Sequence, residues 1–308
     1  MDFFKKLFGS KQKGKAQQMP EEVKQPEDET SYPDIIYDKP WREYDFLEDN
    51  WDKKYSDTLL AEIYETTAKY GRLNIMMLGQ VQSGKSSIIN SYFTITEKRI
   101  ASRTKVGKAD SSFSLEFHAV PGEGQLKHIV FHDVMGLELA DDQGIHMDDI
   151  SSAAKGKLQP GTQFNPLAPA KVQDAADDRV IHCVIYIVDA ENIFSEVVGS
   201  FKSKVKKMEN ILKIGPNRMV ILTKVDNISN QVKDDIRKIF KSENVKKAVE
   251  SAQNVFGVPK NYVFPVKNYT DETQIQSFKN IPLLLALQQA AYFGADYMRG
   301  KEVDNAKK

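Results

Sequence analysis

Apolar residues recur along this chain in two rhythms. Between 56 and 69 (SDTLLAEIYETTAK), Leu59, Leu60, Ile63 and Tyr64 fall at helical spacing. Residues 73–79 (LNIMMLG) instead form a short apolar run closed by glycine, the pattern of a buried strand, and the GKSSIINSYF that follows predicts a helix. Further strand patterns lie at 113–120 (FSLEFHAV), 128–133 (HIVFHD), 181–189 (IHCVIYIVD), 218–223 (RMVILT) and 262–266 (YVFPV). Amphipathic helix patterns occupy 198–213, 231–252 and 278–298. Strands alternating with helices predict an α/β fold, a mostly parallel sheet covered by helices on both faces.

The pattern fades in two places. Residues 1–39 are poor in apolar positions and carry Pro20, Pro26 and Pro33, so they read as a disordered tail. Residues 140–178 are polar, with Gly156, Pro160, Gly161, Pro166 and Pro169, and read as an insertion rather than a sheet element. The expected organisation is a tail over 1–39, one enlarged domain over 40–300, and a disordered C-terminal tail over 301–308.

Charge refines the tail. The chain of 308 residues has 43 Lys and Arg against 43 Asp and Glu. Net neutrality offers no basic field for nucleic acid, so no nucleic-acid partner is expected. Locally, Lys5, Lys6, Lys11, Lys13 and Lys15 face only Asp2, and an acidic stretch at 21–29 follows. Phe3, Phe4, Leu7 and Phe8 share one face of a short helix beside those lysines. Residues 1–15 are therefore a candidate for weak contact with an anionic membrane or a partner, although a solvated tail is the simpler reading. Cys183 is the one cysteine, which excludes a disulfide framework and a cysteine zinc cluster and suits a reducing, cytoplasmic compartment. His128 and His132 are four apart, but on a strand that spacing makes no helical metal pair.

Chemistry concentrates at strand ends. Residues 79–86 read GQVQSGKS, a full G-x-x-x-x-G-K-[ST] phosphate loop between a strand and a helix. Gly79 and Gly84 let the backbone close around an anion, and the N–H groups of Gln82, Ser83 and the helix start through Ser87 face it. Lys85 supplies a charge to the β- and γ-phosphates, and the Ser86 hydroxyl is a Mg²⁺ ligand. These two are the candidate catalytic residues. Val81 and Gln82 stand where small residues are common. Asp133, ending the HIVFHD strand, would face the Mg²⁺ site, and Gly136 of D-x-x-G would offer its N–H to the γ-phosphate.

The base is read next. Thr223-Lys224-Val225-Asp226 follows the strand stretch 218–222 and matches [NT]-K-x-D. A carboxylate at Asp226 accepts from guanine N1–H and N2–H₂, which adenine does not offer, and the Lys224 stem would lie along the ring. Lys267 and Asn268, after the 262–266 strand, stand where a loop passes under the base. GTP or GDP and Mg²⁺ are the implied ligands. For the switch-I hydroxyl, Ser111 (also a candidate Mg²⁺ ligand) and Ser112 precede a strand, and Thr104 is a third candidate. Arg99 and Arg103 are candidate arginine fingers, in cis or across a homodimer formed on GTP binding. Leu137 follows D-x-x-G where Ras-like enzymes carry Gln, so slow hydrolysis is expected. A nucleotide-stabilised scaffold with negligible hydrolysis is the alternative.

PWR at 40–42, GQVQSGKSSIINS at 79–91, MGLE at 135–138, MDDI at 147–150, QFNP at 163–166, RVIHCV at 179–184, LTKVD at 222–226 and FPVKNY at 264–269 stand in this order. Together they resemble the interferon-induced protein 44-like family across residues 40–300. The resemblance implies a cytoplasmic, GTP-binding P-loop domain of the GTPase-like kind, in a family associated with immune and antiviral responses. Some members carry an additional N-terminal TLDc-like domain, where this sequence shows only a polar tail. The family commonly has Gly where this chain has Gln82. Its nucleotide contacts carry over to 79–87, Asp133, Thr223, Lys224 and Asp226, the positions reached from the residues themselves.

Overall fold

The computed structural model describes residues 34–44, 51–104, 116–134, 144–194, 198–211 and 217–306. The chain divides into two units, Met1–Ser31 and Tyr32–Lys308, of which the first lies outside the described residues. Among the described residues, no helix is long and apolar enough to cross a membrane.

Among the described residues, six strands make one sheet, in the order β2-β3-β1-β4-β5-β6. They are β1 (Leu73–Gly79), β2 (His118–Pro121), β3 (Ile129–Asp133), β4 (Cys183–Asp189), β5 (Asn217–Thr223) and β6 (Val263–Pro265). All neighbours are parallel except β2 with β3. β1 and β4 are buried at every position, as expected of parallel strands covered on both faces. The helices are α1 (Lys53–Ala68), α2 (Lys85–Glu97), α3 (Met147–Ala154), α4 (Val198–Ile211), α5 (Asn230–Asp234), α6 (Glu243–Phe256) and α7 (Ser277–Ala306). α7 lies along β1, β4, β5 and β6, with α1 and α2 beside it, while α6 packs on β5 and β6 with α4 alongside. A Cβ on Gly294 would stand 1.8 Å from Leu73 Cδ1, so glycine lets α7 approach β1 this closely.

Several boundaries move. The tail was expected to reach residue 39, but Asp34 accepts from the hydroxyls of Ser229 and Ser242 and from the Asn244 N–H. Tyr37 and Trp41 donate their N–H groups to the Lys241 and Phe240 carbonyls. Hydrogen bonding by one carboxylate thus makes a strap of a segment too polar to read as structure. At the other end, α7 continues to Ala306 through the expected tail.

The helix expected over 231–252 is two. Asp235, extended at φ −143°, ends α5, and Ser242 starts α6 by accepting from the Val245 N–H at 3.1 Å. Ser229 caps α5 in the same way through Val232. The amphipathic rhythm runs through the break because Val232, Ile236, Ile239, Phe240 and Val245 are all buried.

The 140–178 insertion is more built than its polarity suggests. It contains α3, on which Asp149, fully buried, accepts from the Ala170 N–H at 2.8 Å. Burial pushes the Asp149 carboxyl above the usual range, and that hydrogen bond opposes it. Its described residues add no strand, only an isolated bridge between Glu116 and Gln163. The strand expected at 113–120 is described from 116 onward and becomes β2, four residues long.

At the N-terminal edge of the sheet, Asn74 gathers two buried histidines. His132 Nε2 lies 3.1 Å from Asn74 Oδ1, and the Asn74 N–H donates to His182 Nδ1 at 3.0 Å. The Asn74 amide donates to the Asp178 and Val180 carbonyls, fastening the end of the insertion to β1. Both histidines are thus tied to β1 through Asn74. Cys183 is fully buried, and burial pushes its thiol up, so it acts as packing.

Candidate nucleotide site

The strand order reverses direction at β1, whose two neighbours, β3 and β4, leave along opposite sides of the sheet. In an open parallel sheet, such a point leaves a crevice outside the strands' carboxyl ends. The phosphate loop stands there. Gly79 ends β1, and a Cβ on it would be 2.2 Å from the Ile187 carbonyl oxygen and 2.7 Å from Ser83 Oγ. Gly84, at φ +92°, starts α2 in the left-handed region, and a Cβ there would press on Asn268 and Thr223. Gln82 also has a positive φ, 64°, which side-chain-bearing residues rarely adopt. Val81 and Gln82 are both exposed. Lys85 Nζ folds over the loop, donating to the Gly79 and Gln80 carbonyls at 2.9 Å each. Ser87 follows Ser86 in the first turn of α2.

Asp133 arrives from the end of β3, and the Ser86 hydroxyl donates to its Oδ2 at 3.3 Å. Burial pushes the Asp133 carboxyl above the usual range, while the Lys85 charge and the Ser86 hydrogen bond pull it back. A hydroxyl and a carboxylate this close are hard oxygen donors suited to Mg²⁺. Among the described residues, no cluster of three or more His, Cys, Asp or Glu side chains could hold a metal by itself. Any Mg²⁺ here would need oxygens from the ligand too. Gly136, Ser111 and Ser112 lie outside the described residues. Thr104 is the switch-I candidate that the structure brings in: its hydroxyl lies 3.0 Å from the Ser86 carbonyl oxygen.

Asn90 holds it there, a residue that sequence reasoning passed over. Its Oδ1 accepts from the Arg103 and Thr104 N–H groups, at 2.7 and 2.8 Å, and its Nδ2 donates to the Thr104 carbonyl at 3.0 Å. The only signal in the sequence was a polar residue at a core-facing position of α2. Of the candidate arginine fingers, Arg103 pairs with Glu97 and Glu123, at 2.7 and 3.0 Å, and Arg99 pairs with Glu97.

The T-K-x-D segment joins from β5. Thr223 Oγ1, fully buried, donates to the Ser83 carbonyl at 2.6 Å. Lys224, at φ 55°, pairs through Nζ with Asp189 Oδ2 at 2.6 Å. Asp189, at the end of β4, is a second residue of the candidate site that sequence reasoning missed. From the loop after β6, Lys267 Nζ lies 3.3 Å from Asp226 Oδ2, and Asn268 Nδ2 lies 3.5 Å from the Gly84 carbonyl oxygen. Asn268 Oδ1 is buried without a partner among the described residues. Phosphate loop, Asp133, Thr223, Asp226, Lys267 and Asn268 thus meet at one edge, in the arrangement of a P-loop NTPase fold.

No family model matches the chain. Among solved structures, a dimerization-deficient mutant of Toc33 from Arabidopsis thaliana is 15% identical, covers 81% of this chain and 96% of its own, and gives a TM-score of 0.45. A GTP-binding protein from Sulfolobus solfataricus in complex with GDP is 17% identical, covers 80% of this chain and 68% of its own, and gives 0.38. In sequence, human interferon-induced protein 44-like is 28% identical over 263 residues, 80% of this chain and 57% of the relative. Mouse interferon-induced protein 44 is 26% identical over 233 residues, 73% of this chain and 55% of the relative. The chain therefore spans a little over half the length of these curated relatives. The chain is thus similar in sequence to interferon-induced protein 44 and to its 44-like relative.

Proposed function

We propose that this chain binds GTP and GDP at the carboxyl edge of its sheet and hydrolyses GTP slowly. The observation that carries this reading is the joining of phosphate loop and base loop by the Thr223–Ser83 hydrogen bond, with Asp226 and Lys267 side by side beyond it.

The residues divide the work. Backbone N–H groups from Gln82 to Ser87, at the start of α2, receive the phosphates, and Lys85 neutralises β- and γ-oxygens. Ser86 and Asp133 would hold Mg²⁺, which, when bound, offsets charge between the β- and γ-phosphates. Asp226 selects guanine through N1–H and N2–H₂. Hydrolysis transfers the γ-phosphoryl group to water, giving GDP and phosphate. Slow turnover follows from Leu137, which has no polar group to orient that water, and from Arg99 and Arg103 being paired with glutamates.

We extend the reading to biology in the same terms. The relatives are named for induction by interferon, which favours a role in immune response, and the single cysteine suits a cytoplasmic setting. A homodimer formed on GTP binding would bring a second copy to the 99–112 segment and speed hydrolysis, and residues 1–15 would supply weak membrane contact. The scaffold alternative predicts nucleotide binding without turnover at any protein concentration. Single-turnover GTP hydrolysis over a range of protein concentrations tests this part. A low rate rising with concentration supports the switch, and no hydrolysis at any concentration leaves only the scaffold.

A further inference from the structure

We infer that Lys267 reads the 6-position of the bound purine, its ammonium donating a hydrogen bond to guanine O6 beside the carboxylate of Asp226. This deepens the guanine reading above and rests on it.

Lys267 Nζ stands 3.3 Å from Asp226 Oδ2, and the two side chains are only 19% and 20% exposed. The loop carrying Lys267 is fixed on both sides. The Val266 N–H donates to the Leu222 carbonyl at 2.8 Å, and the Tyr269 N–H donates to Ser91 Oγ at 3.0 Å. Lys267 therefore reaches Asp226 from a held backbone.

Its neighbour Lys279 is committed elsewhere. That ammonium, 2% exposed, pairs with Glu272 and lies 4.6 Å from the centre of the Tyr269 ring. Burial, helped by the nearby Lys267 charge, pushes Lys279 below the usual lysine range. Of the two lysines, only Lys267 stands against the base-reading carboxylate.

Guanine chemistry supplies the rest. Its Watson–Crick edge presents O6, N1–H and N2–H₂ in a row. The two oxygens of one carboxylate satisfy N1–H and N2–H₂ and leave O6 in need of a donor. A cation held beside that carboxylate is the matching donor. Adenine puts an N6 donor at that place, where it meets an ammonium unfavourably, so the Asp226–Lys267 pair reads two neighbouring positions of the base instead of one.

The test compares dissociation constants of GDP, IDP and 6-thioguanosine diphosphate, which keeps N1–H and N2–H₂ but carries a weakly accepting sulfur at the 6-position, for the full chain and for Lys267→Met. Losing a charge-assisted bond should weaken GDP and IDP by about tenfold or more and leave the 6-thio ligand within about threefold. Lys267→Arg, which keeps a cationic donor, should retain the 6-oxo preference. Should Lys267→Met fail to fold, Lys267→Gln carries the same comparison, with a smaller loss confined to the 6-oxo ligands. An equal loss on all three ligands, or none on GDP, overturns the assignment of Lys267. Failure of the unaltered chain to bind GDP overturns the guanine reading beneath it, and this assignment with it.

Discussion

The hydroxyl of Thr223 donates to the carbonyl of Ser83 across 140 residues of sequence, at 2.6 Å, and also lies 3.2 Å from the Val188 carbonyl oxygen. One fully buried side chain therefore fastens the base-reading strand end to the phosphate loop. Thr223→Val keeps the shape and removes the donor. It should lower stability by about 1–3 kcal/mol, because a buried carbonyl is left unpaired. It should also weaken GDP binding, since the two loops then hold their relative position less firmly. Chemical denaturation and GDP titration of the same variant measure both.

Changing the hydrogen-bond character of Asp226 should change which base is preferred. Asp226→Asn supplies an amide donor that matches the 2-oxo group of xanthine and opposes the N2–H₂ of guanine. The expected result is a fall in GDP affinity of about 100-fold or more with a gain for XDP. A variant that weakens GDP and XDP alike would mean Asp226 does not face the base.

Gln82 tests whether the unusual phosphate loop is strained. At φ 64°, a side chain costs about 1 kcal/mol or more relative to glycine, partly offset by the extra freedom glycine gives the unfolded chain. Gln82→Gly should leave the melting temperature unchanged or slightly raised. A clear loss of stability would show that the glutamine side chain makes a favourable contact.

Acid should destabilise the sheet through Asn74's two histidines. Burial lowers His132 to about 3 and His182 to about 4, with the Arg72 charge adding to both, so the folded state holds them neutral. In the unfolded chain they take up protons near their ordinary pKa of about 6.5. The unfolded state then binds more protons, and stability falls as pH drops below about 6.5 toward the folded values. Each histidine contributes a slope of about 1.4 kcal/mol per pH unit within that window. Asp133 and Asp149, held above the usual carboxylate range, act in the opposite sense nearer pH 4, so the region from about 7 to 5 is the informative one. Urea midpoints across it should fall, and should fall less in His182→Gln.

Asp34 should matter to the body of the protein despite its place near the start of the chain. Asp34→Ala removes the acceptor shared by Ser229, Ser242 and the Asn244 N–H, at the starts of α5 and α6. A loss of about 2 kcal/mol is expected. Thermal unfolding of this variant beside Asp38→Ala, an exposed control, reads it directly.

The sequence made the strand ends legible because their motifs impose local geometry. Gly79 and Gly84 are required by contacts and by φ that no other residue meets easily, and Thr223 and Asp226 stand at and just beyond the end of the apolar run 219–222 of β5. Asn90, Asp189 and Asp34 were not legible. Each acts through a partner distant in sequence, and an Asn inside a helix or an Asp after a strand carries no local sign of that partner. The break between α5 and α6 was written in the sequence, as Ser229 and Ser242 three residues before Val232 and Val245. An uninterrupted apolar rhythm masked it.

On this reading, one edge of the sheet selects a guanine nucleotide. Calorimetric titration of the purified chain with GDP and with ADP, each in the presence of Mg²⁺, tests it most directly. One site per chain is expected, with GDP preferred over ADP by about 100-fold or more. Equal binding of the two nucleotides, or no binding of GDP, would contradict it.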